Sequence, residues 1–159
     1  MKKILFLFLL IFLGCSNKKF VFVPTNHKCV KNESVSIGIK EVTLPYYMKD
    51  LEILKLNEHI LKDTNLYISK EPINIISTKL SNALCNSKVF LYPWDGDAKY
   101  KVDIKIDDFY LKDDKLYMHA RVYINSKVKK VNFSEKCKNY NCINDAFDAI
   151  VNAIIKDIK

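Results

Sequence analysis

Glycine is scarce in this 159-residue chain, with three in all. That leaves no Gly-rich loop to cradle a phosphate and no Gly-x-Ser-x-Gly elbow to expose a nucleophilic serine. Arginine occurs once, at Arg121, among 26 basic residues. Nucleic-acid binders cluster arginine and aromatic residues on one face, whereas the lysines here are dispersed, so no nucleic-acid partner is expected. The three histidines, His27, His59 and His119, fall in three unrelated segments, and none sits in the His-Glu-x-x-His spacing of a zinc helix. Asp95-Gly96-Asp97 lacks the further ligands of a calcium loop. Asp107-Asp108 is a carboxylate pair within a strand pattern, and strand neighbours are expected to point to opposite faces. The sequence therefore predicts no catalytic residue, metal or cofactor, and a protein that is not an enzyme.

No apolar run reaches the roughly 20 residues that a lone helix needs to cross a bilayer. What is present is shorter. Met1-Lys2-Lys3 is basic, and Ile4 to Leu13 is an unbroken apolar run, which is the pattern of a secretory signal. The following Phe12-Leu13-Gly14-Cys15-Ser16 resembles the bacterial lipobox, with Phe12 where leucine is usual. That motif implies cleavage before Cys15 and acylation of its thiol. Each buried methylene of such an anchor contributes about 0.8 kcal/mol. Ser16 stands where an aspartate would signal retention in the inner membrane, so an outer-membrane protein facing the periplasm is expected.

Removing residues 1–14 leaves 145 of the 159 residues, enough for one domain with a proper core. Losing Lys2 and Lys3 takes the net charge from +8 to +6. Four cysteines remain, and in an oxidising compartment an even number suggests disulfides, with three pairings open. The close spacing of Cys137 and Cys142 favours that bond, with Cys29 and Cys85 as the second.

Residues 15–34 read as a lipidated N-terminus and tether, in which Phe20 to Val23 could form an edge strand. A chain of that length reaches on the order of 25 Å as a flexible coil. The domain is expected over 35–159. Val35 to Pro45, Leu51 to Leu56, Leu66 to Ile68 and Val89 to Trp94 are strand candidates, with a polar connection at His59 to Asn65. Tyr100 to Phe109 alternates most clearly, with Val102, Ile104 and Ile106 on one face. Lys112 to Lys115 is a turn, Leu116 to Asn125 returns as a hairpin partner, and a short strand follows at Lys127 to Phe133. One helix is predicted near Glu71-Pro72, capped by Ser69, with Ile73, Ile76, Leu80 and Leu84 inward. A second begins at Asn141, with Ile143, Phe147, Ile150, Val151, Ile154, Ile155 and Ile158 inward. The fold class is α+β, a largely antiparallel sheet with two main helices on one face. Tyr110, Tyr117 and Tyr123 share a face that either serves an interface or packs under a helix.

The order of these segments resembles the PqiC (YmbA) family. Ile37-Gly38-Ile39-Lys40-Glu41-Val42-Thr43-Leu44-Pro45-Tyr46-Tyr47-Met48 is similar to its opening V-G-P-V-x-L-P-x-Y-L strand. Val89-Phe90-Leu91-Tyr92-Pro93-Trp94 is similar to its V-x-x-Y-P-W strand, and Tyr100 to Phe109 to its Y-x-V-x-V-x-I-x-x-F strand. The helices at 73–84 and 144–158 have counterparts, so the resemblance covers most of 35–158. Lys55 and Lys70-Glu71 stand where the family often has arginine. The resemblance implies an auxiliary lipoprotein of an ABC-type, MCE-protein lipid transport system, held at the outer membrane. Its partners would be a periplasmic MCE-domain protein and a homo-oligomeric ring. Tyr46, Tyr47 and Trp94, beside strand-ending prolines, are the candidate partner contacts. Two other readings stay open: a carrier with an apolar pocket for lipid or lipoprotein, and a structural or adhesive surface lipoprotein.

Overall fold

A computed structural model describes residues 17–25, 29, 34–48 and 50–158, with Trp94 and Asp95 by their backbone only. In chain order the elements are β1 (Lys19–Val21), β2 (Ser36–Thr43), β3 (Leu54–Asn57), β4 (Ile60–Lys62), β5 (Leu66–Ile68), α1 (Pro72–Ala83) and β6 (Lys88–Leu91). A 3-10 turn at Trp94–Asp97 leads to β7 (Tyr100–Lys112), β8 (Lys115–Ile124), β9 (Lys127–Lys136) and α2 (Asn141–Asp157). The class is α+β.

The long strand β7 organises the main sheet of seven strands. Along one edge it pairs in parallel with β2 and, further on, with β3; along the other it pairs with β8 in antiparallel register, and β9 extends that ladder. The sheet is thus mixed, since β2 also runs parallel to β6. The reason lies in the connections. Between β2 and β6 the chain passes through α1 and re-enters the sheet from the same end, which yields a parallel neighbour. Between β6 and β7 it returns across β2 through the 3-10 turn. Gly38 is buried on the face of β2 opposite Ile37 and Ile39, and the turn lies against this strand.

Tight turns are made without glycine. Asp113 and Asp114 take positive φ angles of 48° and 58° between β7 and β8, and Asn125 takes 51° between β8 and β9. Two-residue hairpin turns need that left-handed conformation, and Asp and Asn tolerate it better than most residues. This is how a chain with three glycines closes two hairpins.

One face of the sheet carries the core. Ile37 and Ile39 of β2, Val102, Ile104, Ile106 and Phe109 of β7, and every second residue of β8 from Leu116 to Ile124 are buried. They join the apolar sides of both helices in one cluster. α2 contributes six of the seven positions read from its periodicity, the seventh, Ile158, is buried just past its end, and α1 packs against β2, β6 and α2.

Several expectations change. Glu71, not Ser69, occupies the N-cap of α1, because Pro72 sits in the first turn and fixes the start of the helix one residue after Glu71. The buried arc of α1 is Pro72, Ile75, Ile76, Lys79, Leu80 and Ala83, while Ile73 is only half-buried. The arc is wide because the sheet covers one side and α2 the other. The polar stretch at 59–65 contains β4, the hairpin partner of β3. β9 continues to Lys136, past the expected end at Phe133.

The largest correction concerns the tether. β1 pairs in parallel with β5, and Val23 is fully buried in the common core. Residues 19–23 therefore belong to the packed body. The edge strand that the sequence allows over Phe20 to Val23 forms, over Lys19–Val21, but it packs on the body through β5 and does not lie in a free tether.

Candidate functional site

Cys15, the residue expected to be acylated, lies outside the described residues, as does His27. The described chain starts two residues later, at Asn17. From there the backbone reaches Cys15 in two Cα steps, at most about 8 Å, not the 25 Å that a free segment would give.

The remaining four cysteines form two bonds. Cys29 is bonded to Cys85, with Cα atoms 5.6 Å apart, and Cys137 to Cys142, at 5.1 Å. The first fastens the segment between β1 and β2 to the residues just past α1. The second ties the end of β9 to the first turn of α2.

Tyr46 and Tyr47 leave the far end of β2 on a turn. Tyr46 is 82% exposed and meets Tyr47 edge-on at 5.5 Å. Tyr47 points inward, and its hydroxyl oxygen accepts the Phe109 N–H at 2.9 Å. Burial pushes its phenol above the ordinary value, against a smaller opposing pull from that N–H. Tyr47 thus ties the turn to β7 while half-buried, and Tyr46 is the more exposed of the pair. Trp94 lies elsewhere: the loop that carries it is held to the N-terminal half of β2 by Tyr92 N–H to Ile39 O and Lys99 N–H to Ser36 Oγ. The structure does not bring the three aromatic candidates together. Tyr47→Phe strands the N–H of buried Phe109, and a lost buried hydrogen bond of this kind costs about 1–3 kcal/mol. Thermal melting should show a clear drop; an unchanged midpoint would mean that water takes over the bond.

The face of β7–β9 away from the helices is open. A register shift between Ile106 and Asp108 places Asp107 and Asp108 on this same side, so the expectation that strand neighbours diverge fails at a bulge. Asp107 accepts from Arg121 Nε at 2.8 Å and Nη2 at 2.6 Å. That guanidinium holds the Asp107 carboxyl below the usual carboxylate range, and the carboxylate raises Arg121 in turn. Asp108 meets His119 Nδ1 at 3.1 Å. The neighbouring hollow is lined by Asp107, His119, Ala120, Arg121, Lys130 and Asn132, without a hydroxyl or thiol for the histidine to activate. Tyr110 and Tyr117 stack at 5.6 Å on the same face. These tyrosines therefore do not pack under a helix.

Two other hollows mix polar and apolar lining. The space of about 410 Å³ near the Asp113–Asp114 turn is lined by two lysines, Lys19 and Lys55, with Asp114, Thr64 and Asn139 beside Leu66, Leu111, Cys137 and Tyr140. Another, of about 320 Å³, has Asp50, Glu52 and Asp63 beside Tyr46 and Tyr47. Glu52 there accepts the N–H groups of Thr64 and Asn65 and the hydroxyl of Tyr67, so it locks a loop. Among the described residues no group of three or more His, Cys, Asp or Glu is placed to hold a metal ion. No described helix is long and apolar enough to cross a membrane.

No family model and no curated protein matches the sequence. Solved structures do share the fold. One, the crystal structure of an uncharacterized protein, is 14% identical with a TM-score of 0.58, over 87% of this chain and 99% of that one. Another, protein XCC0632 from Xanthomonas campestris, described under the family model DUF330, is 10% identical with a TM-score of 0.56, over 87% of this chain and 91% of that one.

Proposed function

We propose that this chain is a lipid-anchored accessory component of an ABC/MCE-type lipid transport system, held at the outer membrane and docking the periplasmic MCE protein. The observation that carries the reading is the ordered set of PqiC-like segments, from Ile37-Gly38 through Tyr92-Pro93-Trp94 to the closing helix, behind a lipobox. The fold shared with a structure labelled DUF330, a family of PqiC-like (YmbA) proteins, supports it. So does a filled interior: the apolar side chains of sheet and helices pack on one another. A lipid carrier needs a mostly apolar hollow of several hundred Å³, and the space of about 410 Å³ described above sets Lys19, Lys55, Asp114 and Asn139 among Leu66, Leu111 and Tyr140.

In this reading the chain performs no chemistry. It positions the outer end of a lipid conduit whose energy comes from an ATPase elsewhere. The open sheet face, with half-exposed Tyr110, Tyr117 and Tyr123 and exposed Tyr46 nearby in sequence to β2, has the aromatic content that interfaces favour.

The test is affinity capture from native membranes through a C-terminal tag, with mass spectrometry of the proteins and lipids recovered. An MCE-domain protein should co-purify. Bound lipid with no protein partner would instead favour the carrier. The intact mass of the same sample should show loss of residues 1–14 and gain of acyl chains, and Cys15→Ala should abolish that gain.

A further inference from the structure

Five side chains at the N-terminal edge share one outward surface. Along β1 and the two residues after it, Val21 and Val23 turn toward the core, while Phe20 and Phe22 point out and are 67% and 64% exposed. Phe20 lies 5.7 Å from the ring of Tyr67, on the neighbouring strand β5. Lys18 Nζ sits 4.9 Å over that Tyr67 ring, and Lys70 Nζ sits 5.3 Å over Phe22. Large aromatic side chains left in water on a short edge strand, rimmed by cations, are not explained by packing within the chain.

We infer that this β1 face, Phe20 and Phe22 flanked by Lys18 and Lys70, rests on the anionic bilayer surface beside the acylated Cys15. The inference rests on the anchor reading, and three observations carry it. The face begins within a few residues of Cys15, and the chain from Cys15 to Lys18 spans at most about 10 Å, which keeps the face close to the headgroups. Aromatic rings with a polar rim suit the headgroup boundary. The two lysines match the charge of anionic phospholipid, where each contributes roughly fivefold in binding. The lipid anchor and this face together fix the orientation of the domain, turning the distal end of the β8–β9 hairpin toward the periplasm. A free tether would leave that orientation undefined.

The test uses the full mature lipoprotein reconstituted in phosphatidylethanolamine–phosphatidylglycerol vesicles, with or without brominated acyl chains. Phe22→Trp places a reporter on the face. Val128→Trp places one at the opposite end of β9 from the hollow that Lys19 shares with Asp114 and Cys137. Both sites are exposed in the parent, so neither change disturbs the core. With the Trp94 emission of the parent subtracted, Phe22→Trp should lose most of its fluorescence to brominated lipid while Val128→Trp keeps it. Lys18→Glu/Lys70→Glu should restore much of the lost signal. No quenching of Phe22→Trp, or equal quenching at both sites, overturns the proposal. Intact mass measured on the same sample separates the two ideas. An unmodified Cys15 removes the anchor reading alone, and the quenching, read in vesicle excess, still decides the surface.

Discussion

Asp148→Ala should cost this protein about 3–5 kcal/mol of stability, the range for removing one partner of a buried ion pair, whereas Lys79→Met should leave it near the parent value. Lys79 is 1% exposed, enclosed between α1 and α2, and its ammonium donates to Asp148 Oδ1 at 2.6 Å and Asn144 Oδ1 at 2.8 Å. Removing the carboxylate leaves a buried cation hydrogen-bonded to the neutral amide of Asn144. Removing the cation with a side chain of similar length fills the same space with apolar atoms. Asp148, 26% exposed, then keeps the Asn144 Nδ2 bond at 3.0 Å and access to water. At about 2–4 °C per kcal/mol for a domain of this size, Asp148→Ala should melt on the order of 10 °C lower. Equal losses in both variants would show that the pair itself, not the burial of a lone charge, dominates.

Breaking the Cys29–Cys85 bond should be the second large effect. Its partners are 56 residues apart, against 5 for Cys137–Cys142. Closing the longer loop removes more entropy from the unfolded chain, about 4 kcal/mol against about 2 kcal/mol in the loop-entropy account. Cys29→Ala/Cys85→Ala should therefore lower the urea midpoint more than Cys137→Ala/Cys142→Ala, although Cys142 is the more buried cysteine. The opposite order would mean that the short bond does more than close a loop, by holding the start of α2 on β9.

Secondary structure was legible wherever an element buries one side over several turns or residues. α2 shows it best: each of its six periodic apolar positions is inside, because a helix lying on a sheet selects one stripe for burial. β7 and β8 read equally well, as alternation survives along strands with one wet face. Legibility failed where neighbours, not local pattern, set the environment. Lys79 breaks the apolar stripe of α1, and nothing in its own segment announces that Asn144 and Asp148, more than sixty residues away, will receive it. Asp107 and Asp108 sit on one face only because β7 bulges against β8. Tyr47 accepts the Phe109 N–H from β7, a bond that nothing in its own turn announces.

The sequence by itself determined the α+β class, the closing helix and the β7–β8 hairpin, since these rest on residue type and short-range periodicity. Tertiary structure alone decided that β2 has parallel neighbours, that residues 19–23 belong to the body, and that Phe20 and Phe22 stand outward beside lysines on an edge. Those features depend on which distant segments meet. A three-residue strand such as β1 has almost no preference of its own and acquires one from β5 and the core beneath it.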